Sequence, residues 1–265
     1  MSDWIVRAED TGNPLLDNDG EPIRELTPDS ADALLDKGES IAEMATLEKL
    51  WRFGHVIVDE AQDLTPMQWR MVARRARRRS MTIVGDLAQR SIGEPGAWRD
   101  HLPETIGDFD YRELSVNYRS PAEINDLAAA VLAELAPELT APQSIRAVGL
   151  PPQVVRVDSI GTGLAEVVAW ERAENRNGRT AVIGADDAEV TPIRGVEWFT
   201  AREAKGLEFD SVVLVEPARM LDDEHGLSLL YVAVTRTTKK LTIVHERDLP
   251  DVLAGVLDVG GTLSA

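Results

Sequence analysis

Cysteine is absent from the sequence, which excludes disulfide bonds and thiolate-ligated metal sites. No apolar run approaches the roughly 20 residues that a membrane-spanning helix needs. No charged-then-apolar signal peptide follows Met1 either. We therefore expect a soluble, cytoplasmic protein without a membrane partner. Its 265 residues, 43% of them apolar, are enough for one large domain or two of ordinary size.

Basic residues are outnumbered, and the formal net charge is −18. A chain this acidic repels phosphate backbones, so it is a poor candidate for a nucleic-acid binder acting alone. The segment 66–81 is the exception, because it contains several arginines and no acid. They could form a solvated helix end that matches the helix dipole, or a docking patch for phosphates or an acidic neighbour. Composition alone favours the helix end.

Short apolar runs alternate with helical patterns from about residue 55 onward. The predicted strands are HVIVD, MTIVG, YRELS, QVVRV, TAVIG, VEWFT, SVVLVEP and LTIVH. Continuous apolar strands suit a sheet that is covered on both faces, and the helices between them indicate βαβ units. The clearest helix is PAEINDLAAAVLAELAPEL, and APQSIRAVGLPPQ reads as an extended connector. The pattern predicts a parallel, three-layered α/β fold.

The predicted strands fall into two sets, separated near residues 105–112. Only two strands precede this break and about six follow it. A two-stranded parallel sheet is not a stable domain, so the first set resembles part of a larger sheet or borrows strands from elsewhere. Residues 1–50 form an acidic lead-in of loop followed by amphipathic helix, with a cap-like Thr27-Pro28 pair.

Two acids end the first strand, HVIVDE. Parallel α/β sheets place ligand sites at the carboxyl ends of their strands. Asp59 there could hold Mg²⁺, and Glu60 could accept a proton from an attacking water. Alternatively, the two acids cap the helix that begins near Pro66. The tetrapeptide alone leaves both interpretations open.

Four further segments contain candidate ligand-binding residues. Gln89 follows the second strand, and its amide could sense a γ-phosphate or the attacking water. Tyr118 could stack on an adenine, and Arg119 could bind a phosphate. A turn at Lys205-Gly206 precedes Glu208, and Arg236 lies at a helix end just before a strand. Each has an ordinary alternative, as a loop, core or surface residue.

In their order and spacing, these segments resemble the superfamily 1 helicases of the UvrD/Rep/PcrA type over roughly residues 55–246. The matching segments are motif II at Asp59 to Asp63, motif III at Gly85 to Gln89, motif IV at Asn117 to Ser120, motif V at Thr200 to Phe209 and motif VI at Tyr231 to Arg236. The resemblance implies a RecA-like parallel sheet flanked by helices. It further implies one complete second RecA-like domain over 109–265, and the back part of the first over 51–108.

The resemblance also implies ATP and Mg²⁺ as cofactors. Asp59 would bind Mg²⁺ and Glu60 would be the general base. Gln89 would sense the γ-phosphate, while Arg119 and Arg236 would act as arginine fingers.

The nucleotide itself would be bound by residues of motifs IV and V. Tyr118 would stack on its adenine, and Gly206 and Glu208 would contact its phosphate or ribose.

The largest departure from the family pattern is the lack of a GxxxxGK[ST] sequence, the Walker A motif that holds the phosphates. We expect this chain to be the C-terminal portion of a longer protein whose upstream half carries that motif. The alternative is a degenerate half-enzyme used for binding. Either way, the chain alone is expected to lack ATPase activity.

Two other departures narrow the resemblance. Only about two βα units separate motifs IV and V, without the large inserted subdomain of UvrD-type enzymes. After motif III only Trp98 could stack on single-stranded bases. These features resemble the HelD group, which binds and releases RNA polymerase using ATP. The alternatives are a lobe of a DNA-translocating helicase, which would contact nucleic acid through the full-length protein, and a non-catalytic interaction domain.

Overall fold

The computed structural model describes residues 52–76, 80–90, 96–104, 106–186, 193 and 195–257, together with the backbone of 6–7 and 25–26. These residues belong to two compact units. The first lies within Met1–Gly85 and Arg99–Phe109, and the second within Asp86–Trp98 and Asp110–Ala265. The domain limits expected from the sequence stay a prediction. The amphipathic helices expected between Thr27 and Gly54 lie outside the described residues up to residue 51, and residues 52–54 are not helical.

The first unit contains two small sheets. Strands β1 (Val6–Arg7) and β2 (Glu25–Leu26) pair antiparallel, whereas β3 (Val56–Val58) and β4 (Met81–Ile83) pair in parallel. Ile57 and Thr82 are register partners and therefore share one face of the β3–β4 sheet. Ile57 is 72% exposed on that face, while Val58 on the other face is buried. One face of this sheet is therefore open to solvent.

Helix α1 (Pro66–Arg75) follows β3 and a 3₁₀ turn at Ala61–Asp63. Its start is a capping box, because Thr65 Oγ1 accepts a hydrogen bond from Gln68 N and Gln68 Oε1 accepts one from Thr65 N. Arg74 and Arg75 lie in its last turn, where cations match the helix dipole. This agrees with the helix-end interpretation of the basic segment, although 77–79 lie outside the described residues.

The second unit is built around a five-stranded sheet whose paired strands are all parallel. Before that sheet come β5 (Val116–Asn117), α3 (Ala122–Leu135) and β6 (Gln143–Ser144). The short helix α2 (Trp98–His101) precedes them in the chain, and its residues Arg99–His101 belong to the first unit. The sheet itself consists of β7 (Gln153–Arg156), β8 (Thr180–Gly184), β9 (Glu197–Thr200), β10 (Phe209–Val215) and β11 (Thr237–His245), in the order β7-β11-β10-β8-β9. Helices α4 (Ile160–Glu174), α5 (Pro217–Met220), α6 (Gly226–Thr235) and α7 (Asp251–Ala254) complete the unit.

Side chains on both faces of the five-stranded sheet are buried. On one face Val182, Val213 and Val244 pack with Leu164 and Val168 of α4. On the other face alternate strand residues join α3, α6 and α7, and this larger core includes Ile124, Leu127, Ala181, Ile183, Val212, Leu214, Leu230, Leu241, Ile243 and Leu253. The sheet is covered on both faces, as the continuous apolar strands predicted. The mixed α/β fold class with a parallel sheet is confirmed.

A buried ion pair lies between α4 and the sheet. Glu171 is completely buried, and its carboxylate lies 3.0 Å from Lys240 Nζ. It also accepts hydrogen bonds from Ser211 Oγ of β10, at 2.8 Å, and from Thr242 Oγ1 of β11. Lys240 Nζ lies 3.7 Å from the centre of the Trp170 ring. The charge of Glu171 is therefore compensated by one cation and two hydroxyl groups.

Two details of the sequence prediction are wrong. YRELS, residues 111–115, is not a strand, because the strand begins at Val116, where the chain pairs in parallel with Gln143–Ser144. The segment expected to be only an extended connector, 141–153, therefore supplies β6. The helix predicted from PAEIND is confirmed as α3, which ends at Leu135, two residues before Pro137.

Candidate functional site

Asp59 and Glu60 form a compact turn directly after β3. Asp59 Oδ1 accepts a hydrogen bond from Glu60 N at 2.9 Å, and Glu60 has a left-handed backbone with φ 49° and ψ 39°. A non-glycine residue in this conformation costs about 1 kcal/mol. Glu60 Oε2 in turn accepts a hydrogen bond from Gln62 Nε2 at 2.6 Å, and Gln62 is buried. Gln62, which the sequence analysis did not single out, therefore holds the Glu60 carboxylate.

These acids do not cap the next helix, so that alternative is wrong. Helix α1 is capped by Thr65 and Gln68 instead. Asp59 offers hard carboxylate oxygens, which suit Mg²⁺ as a single protein ligand, because Mg²⁺ usually keeps water and phosphate oxygens in its shell. Among the described residues, no group of three or more His, Cys, Asp or Glu could form an all-protein metal cage.

Gln89 lies in a short 3₁₀ turn, Leu87–Gln89, in the second unit. Asp86 begins this turn, since its Oδ1 accepts a hydrogen bond from Ala88 N at 3.0 Å and its Oδ2 accepts one from Gln89 Nε2 at 2.8 Å. Gln89 Oε1 accepts a hydrogen bond from Arg236 Nη2, also at 2.8 Å. Both ends of the Gln89 amide are therefore engaged, and motifs III and VI are in direct contact.

Arg236 is only 2% exposed. Its Nε donates to Val232 O at 3.2 Å and its Nη1 donates to Leu207 O at 3.4 Å. Its Nη2 also donates to Thr235 Oγ1 at 3.2 Å. The sequence suggested a surface arginine as the ordinary alternative, and burial shows that this alternative is wrong.

Two residues that the sequence analysis did not select hold the backbone of the motif III turn. Lys205 Nζ donates a hydrogen bond to Gln89 O. The Ser228 hydroxyl lies 2.9 Å from both Ala88 O and Arg90 O. Its single proton is therefore shared between these two carbonyl oxygens. Lys205 was visible in the sequence as part of a turn. No sequence signal marked Ser228, which lies inside the apolar helix α6.

A second pair of predicted residues meets at Arg119, whose Nε lies 2.7 Å from Glu208 Oε1. The turn that carries Arg119 is organised by Asn117, whose Oδ1 accepts hydrogen bonds from Arg119 N and Ser120 N at 2.9 and 3.1 Å. Tyr118, between them, is 76% exposed. The core-aromatic alternative for Tyr118 is therefore wrong.

Gly206 has φ +75°, a conformation that side chains rarely adopt, although open space surrounds the position of a Cβ. Its role is therefore to form the turn that leads to Leu207 and Glu208. Leu207 O accepts a hydrogen bond from Arg236, and the adjacent Glu208 forms an ion pair with Arg119. One short segment therefore contacts both predicted arginine fingers.

In the second unit, Glu208 and Arg236 lie at the amino ends of strands, whereas Tyr118 and Arg119 follow the carboxyl end of β5. Glu208 directly precedes β10 and Arg236 directly precedes β11, and Phe209 N donates to Arg236 O at 3.0 Å. The rule that ligand sites follow the carboxyl ends of strands therefore describes Asp59 and Glu60 after β3 and the pair after β5, but not Glu208 and Arg236.

Tyr231 lies five residues before Arg236 and is buried. Burial raises the pKa of its phenol well above the usual range. The negative charge of Asp86 raises this pKa further, and the positive charge of Arg236 opposes the shift. Tyr231 is therefore protonated at any physiological pH.

The family model for the viral superfamily 1 RNA helicase core domain matches residues 16–245. The chain belongs to this family. The matched region contains all five motifs identified in the sequence. The assignment of individual roles to Asp59, Glu60, Gln89, Tyr118, Arg119, Gly206, Glu208 and Arg236 stays a prediction.

Several solved structures are similar to this helicase core. The C-terminal domain of a possible DNA helicase from Lactobacillus plantarum WCFS1 is 27% identical, with a TM-score of 0.42, over 55% of this chain and 98% of that domain. Arterivirus nonstructural protein 10, a helicase, is 21% identical with a TM-score of 0.45, over 78% of this chain and 42% of that protein. The PRRSV helicase is 16% identical with a TM-score of 0.43, over 72% of this chain and 34% of that protein. No curated protein matches the chain.

The helicase core thus spans less than half the length of the two viral helicases. Within the described ranges, no helix is both long and apolar enough to cross a membrane.

Proposed function

We propose that this helicase core forms part of an ATP-hydrolysing motor that acts on RNA polymerase, as the HelD group does. The observation that carries the proposal is the contact between Gln89 and Arg236, two residues from separate helicase motifs. A γ-phosphate sensor and an arginine finger must act on the same phosphoryl group, so their direct contact supports a shared nucleotide site.

Each residue has a defined part in the proposed reaction. Asp59 would hold Mg²⁺, and the ion would supply charge neutralisation on the phosphates. Glu60 accepts the proton of the attacking water while a new bond forms between that water oxygen and the γ-phosphorus. The bond between the γ-phosphorus and the bridging oxygen breaks, and ADP leaves with that electron pair. Arg119 and Arg236 stabilise the negative charge on the transferring group.

Tyr118 fits the proposed site as a base-stacking residue, because its ring is exposed next to Arg119. Glu208 and Gly206 would contact the ribose or phosphate. Arg119 is paired with Glu208 here, so binding of a nucleotide phosphate would require this exposed ion pair to open. An exposed pair is worth less than about 1 kcal/mol, which a phosphate contact readily exceeds.

The site also requires a Walker A motif, which we propose is carried by a polypeptide that joins the first unit, the upstream half of the same protein. The open face of the β3–β4 sheet supports this proposal, since Ile57 at its centre is 72% exposed. A parallel sheet is normally covered on both faces.

Two features favour RNA polymerase over nucleic acid as the direct partner. The net charge of −18 disfavours a strand of phosphates. Trp98 is the only Trp, Tyr or Phe in the segment 90–108 of the sequence. Few rings are therefore available for base stacking after motif III. The runner-up is a lobe of a DNA-translocating helicase. Membership of a helicase family supports a nucleic-acid substrate, although the matching family model is one of RNA helicases.

The test measures ATP hydrolysis by the protein that contains this chain together with a Walker A motif. We expect hydrolysis, stimulated more by RNA polymerase than by single-stranded DNA. Glu60→Gln should reduce kcat at least about 100-fold while ATP binding persists. Glu174→Gln, on an exposed site of α4, is the matched control and should leave kcat unchanged.

Each contrary result identifies a different error. Stimulation by DNA alone would favour the translocating helicase. Absence of hydrolysis in the unaltered protein would favour a non-catalytic interaction domain. Full activity of Glu60→Gln would show that Glu60 is not the general base.

A further inference from the structure

We propose that Asp86 is a positioning residue that fixes the orientation of the Gln89 amide and, through that amide, holds the guanidinium of Arg236. The catalytic consequence rests on the ATPase function proposed above. The hydrogen bonds that join Asp86, Gln89 and Arg236, here called the relay, do not depend on that function and can be tested separately.

The relay has a fixed polarity. A carboxylate only accepts hydrogen bonds and a guanidinium only donates them, whereas an amide has one end of each kind. Gln89 Nε2 donates to Asp86 Oδ2 and Gln89 Oε1 accepts from Arg236 Nη2, both at 2.8 Å. Only this orientation of the amide satisfies both neighbours.

Burial makes the opposite orientation costly. Arg236 is almost fully buried, and Asp86 and Gln89 are half-buried. A reversed amide would place its NH₂ group against the guanidinium and its oxygen against the carboxylate. Such like-with-like contacts are poorly screened in a site with little water. Asp86 therefore selects the amide orientation that offers an acceptor to Arg236.

Asp86 shares the support of the turn backbone with other residues, so its contact with the Gln89 amide is the feature that can be tested separately. The backbone of the turn is already held by Lys205 at Gln89 O and by Ser228 at Ala88 O. Both ends of the relay also act on the buried phenol of Tyr231, whose pKa rises with the charge of Asp86 and falls with that of Arg236.

Asp86→Asn is the decisive substitution because it changes one atom of the relay. The introduced amide keeps an oxygen for Ala88 N, but it presents NH₂ to the NH₂ of Gln89. Gln89 must then turn over and direct its own NH₂ at Arg236. Adding Gln89→Glu restores the polarity, since a carboxylate at 89 accepts both from the introduced amide and from Arg236.

The first readout is the proton exchange of the Arg236 guanidinium, measured by NMR on this chain. We expect exchange to be about tenfold faster in Asp86→Asn and to return close to the original rate in Asp86→Asn/Gln89→Glu. Asp126→Asn, an exposed position on α3, is the matched control and should not alter exchange. Unchanged exchange in Asp86→Asn would overturn the proposal.

The second readout is ATP hydrolysis by the Walker A-containing protein. Asp86→Asn should lower kcat about tenfold with KM within about twofold, because the reversed Gln89 amide no longer offers an acceptor to Arg236. A kcat within about twofold of that of the unaltered protein would overturn the positioning role. The double variant is used only in the exchange measurement, because Gln89 is itself a proposed γ-phosphate sensor.

The two readouts separate the proposals. If the unaltered protein hydrolyses no ATP, the proposed function fails, and the exchange measurement alone decides the role of Asp86. If Asp86→Asn does not fold, Asp86→Ser replaces it, because a serine hydroxyl can cap Ala88 N without reaching Gln89. Faster exchange of Arg236 in that variant supports the relay, and unchanged exchange overturns it.

Discussion

The guanidinium of Arg119 lies 2.7 Å from the carboxylate of Glu208, and both side chains are nearly half exposed, at 48% and 44%. Arg236, the other predicted arginine finger, is instead buried among the carbonyls of Val232 and Leu207 and the Gln89 amide. One arginine is therefore a surface residue that can move towards a ligand. The other is part of the packed structure.

This difference predicts unequal effects on stability. Arg236→Met should lower the free energy of unfolding by about 3 kcal/mol, because it leaves buried carbonyl and amide groups without their donor. Arg119→Met should lower it by less than about 1 kcal/mol. Urea denaturation followed by circular dichroism measures both. Equal losses would contradict the contrast in burial.

The buried Glu171 gives a second prediction. Glu171→Leu should lower the free energy of unfolding by about 3 to 5 kcal/mol, because it leaves Lys240, Ser211 and Thr242 without their shared acceptor. Glu171→Leu combined with Lys240→Met should recover part of this loss, since no unpaired charge remains. Glu174→Leu, on the exposed side of the same helix, is the control. A double variant less stable than Glu171→Leu would contradict the prediction.

Asp210 gives a prediction about pH. A hydrogen bond from the Lys239 ammonium, at 2.5 Å, lowers the pKa of Asp210, and one from Arg179 N at 2.8 Å lowers it further, while burial opposes both. A carboxyl group with a lower pKa in the folded state stabilises the fold above its unfolded pKa of about 3.9. That contribution is lost as the pH falls through the folded pKa.

Asp210→Asn should therefore lower the free energy of unfolding by about 1 kcal/mol at pH 7. The difference from the unaltered chain should shrink as the pH falls below about 4, where Asp210 becomes protonated. Urea denaturation across this pH range provides the measurement. A difference that stays constant down to the lowest pH would show that the charge of Asp210 has no part in the effect.

The open face of the β3–β4 sheet gives a fourth prediction. Ile57→Asp should change the free energy of unfolding of this chain by less than about 0.5 kcal/mol, because the side chain is largely in solvent. Val58→Asp, on the buried face, should cost at least about 3 kcal/mol. In the Walker A-containing protein, Ile57→Asp should instead be strongly destabilising. A mild effect there would mean that nothing covers this face.

The sequence predicted the strongly patterned elements well. The run SVVLV became the central strand β10, because a strand buried on both faces is apolar at every position. Helix α3 was recognisable from its apolar periodicity and from the prolines at 121 and 137. Strand β5 was misplaced because its two residues are set by pairing with Gln143–Ser144, which no local pattern encodes.

The site was predictable as a set of residue types but not as a set of contacts. Gln89 and Arg236 are 147 positions apart, so their hydrogen bond depends on how α6 and β11 are folded. Asp86 entered the sequence analysis only within the range of motif III, because a carboxylate that holds an amide looks like any loop acid in the sequence. Family resemblance identified the motifs, and the three-dimensional fold was needed to find their connections.

At Glu60, the residue that best suits the left-handed backbone is not the residue that supplies a carboxylate. Glycine would adopt φ 49° without steric cost, so Glu60→Gly would relieve local strain while removing the carboxylate that Gln62 holds. Ranking variants of this chain by thermal stability alone would therefore select glycine at position 60. A screen for more stable versions of the protein should therefore keep position 60 fixed, or it will enrich well-folded molecules that lack the Glu60 carboxylate.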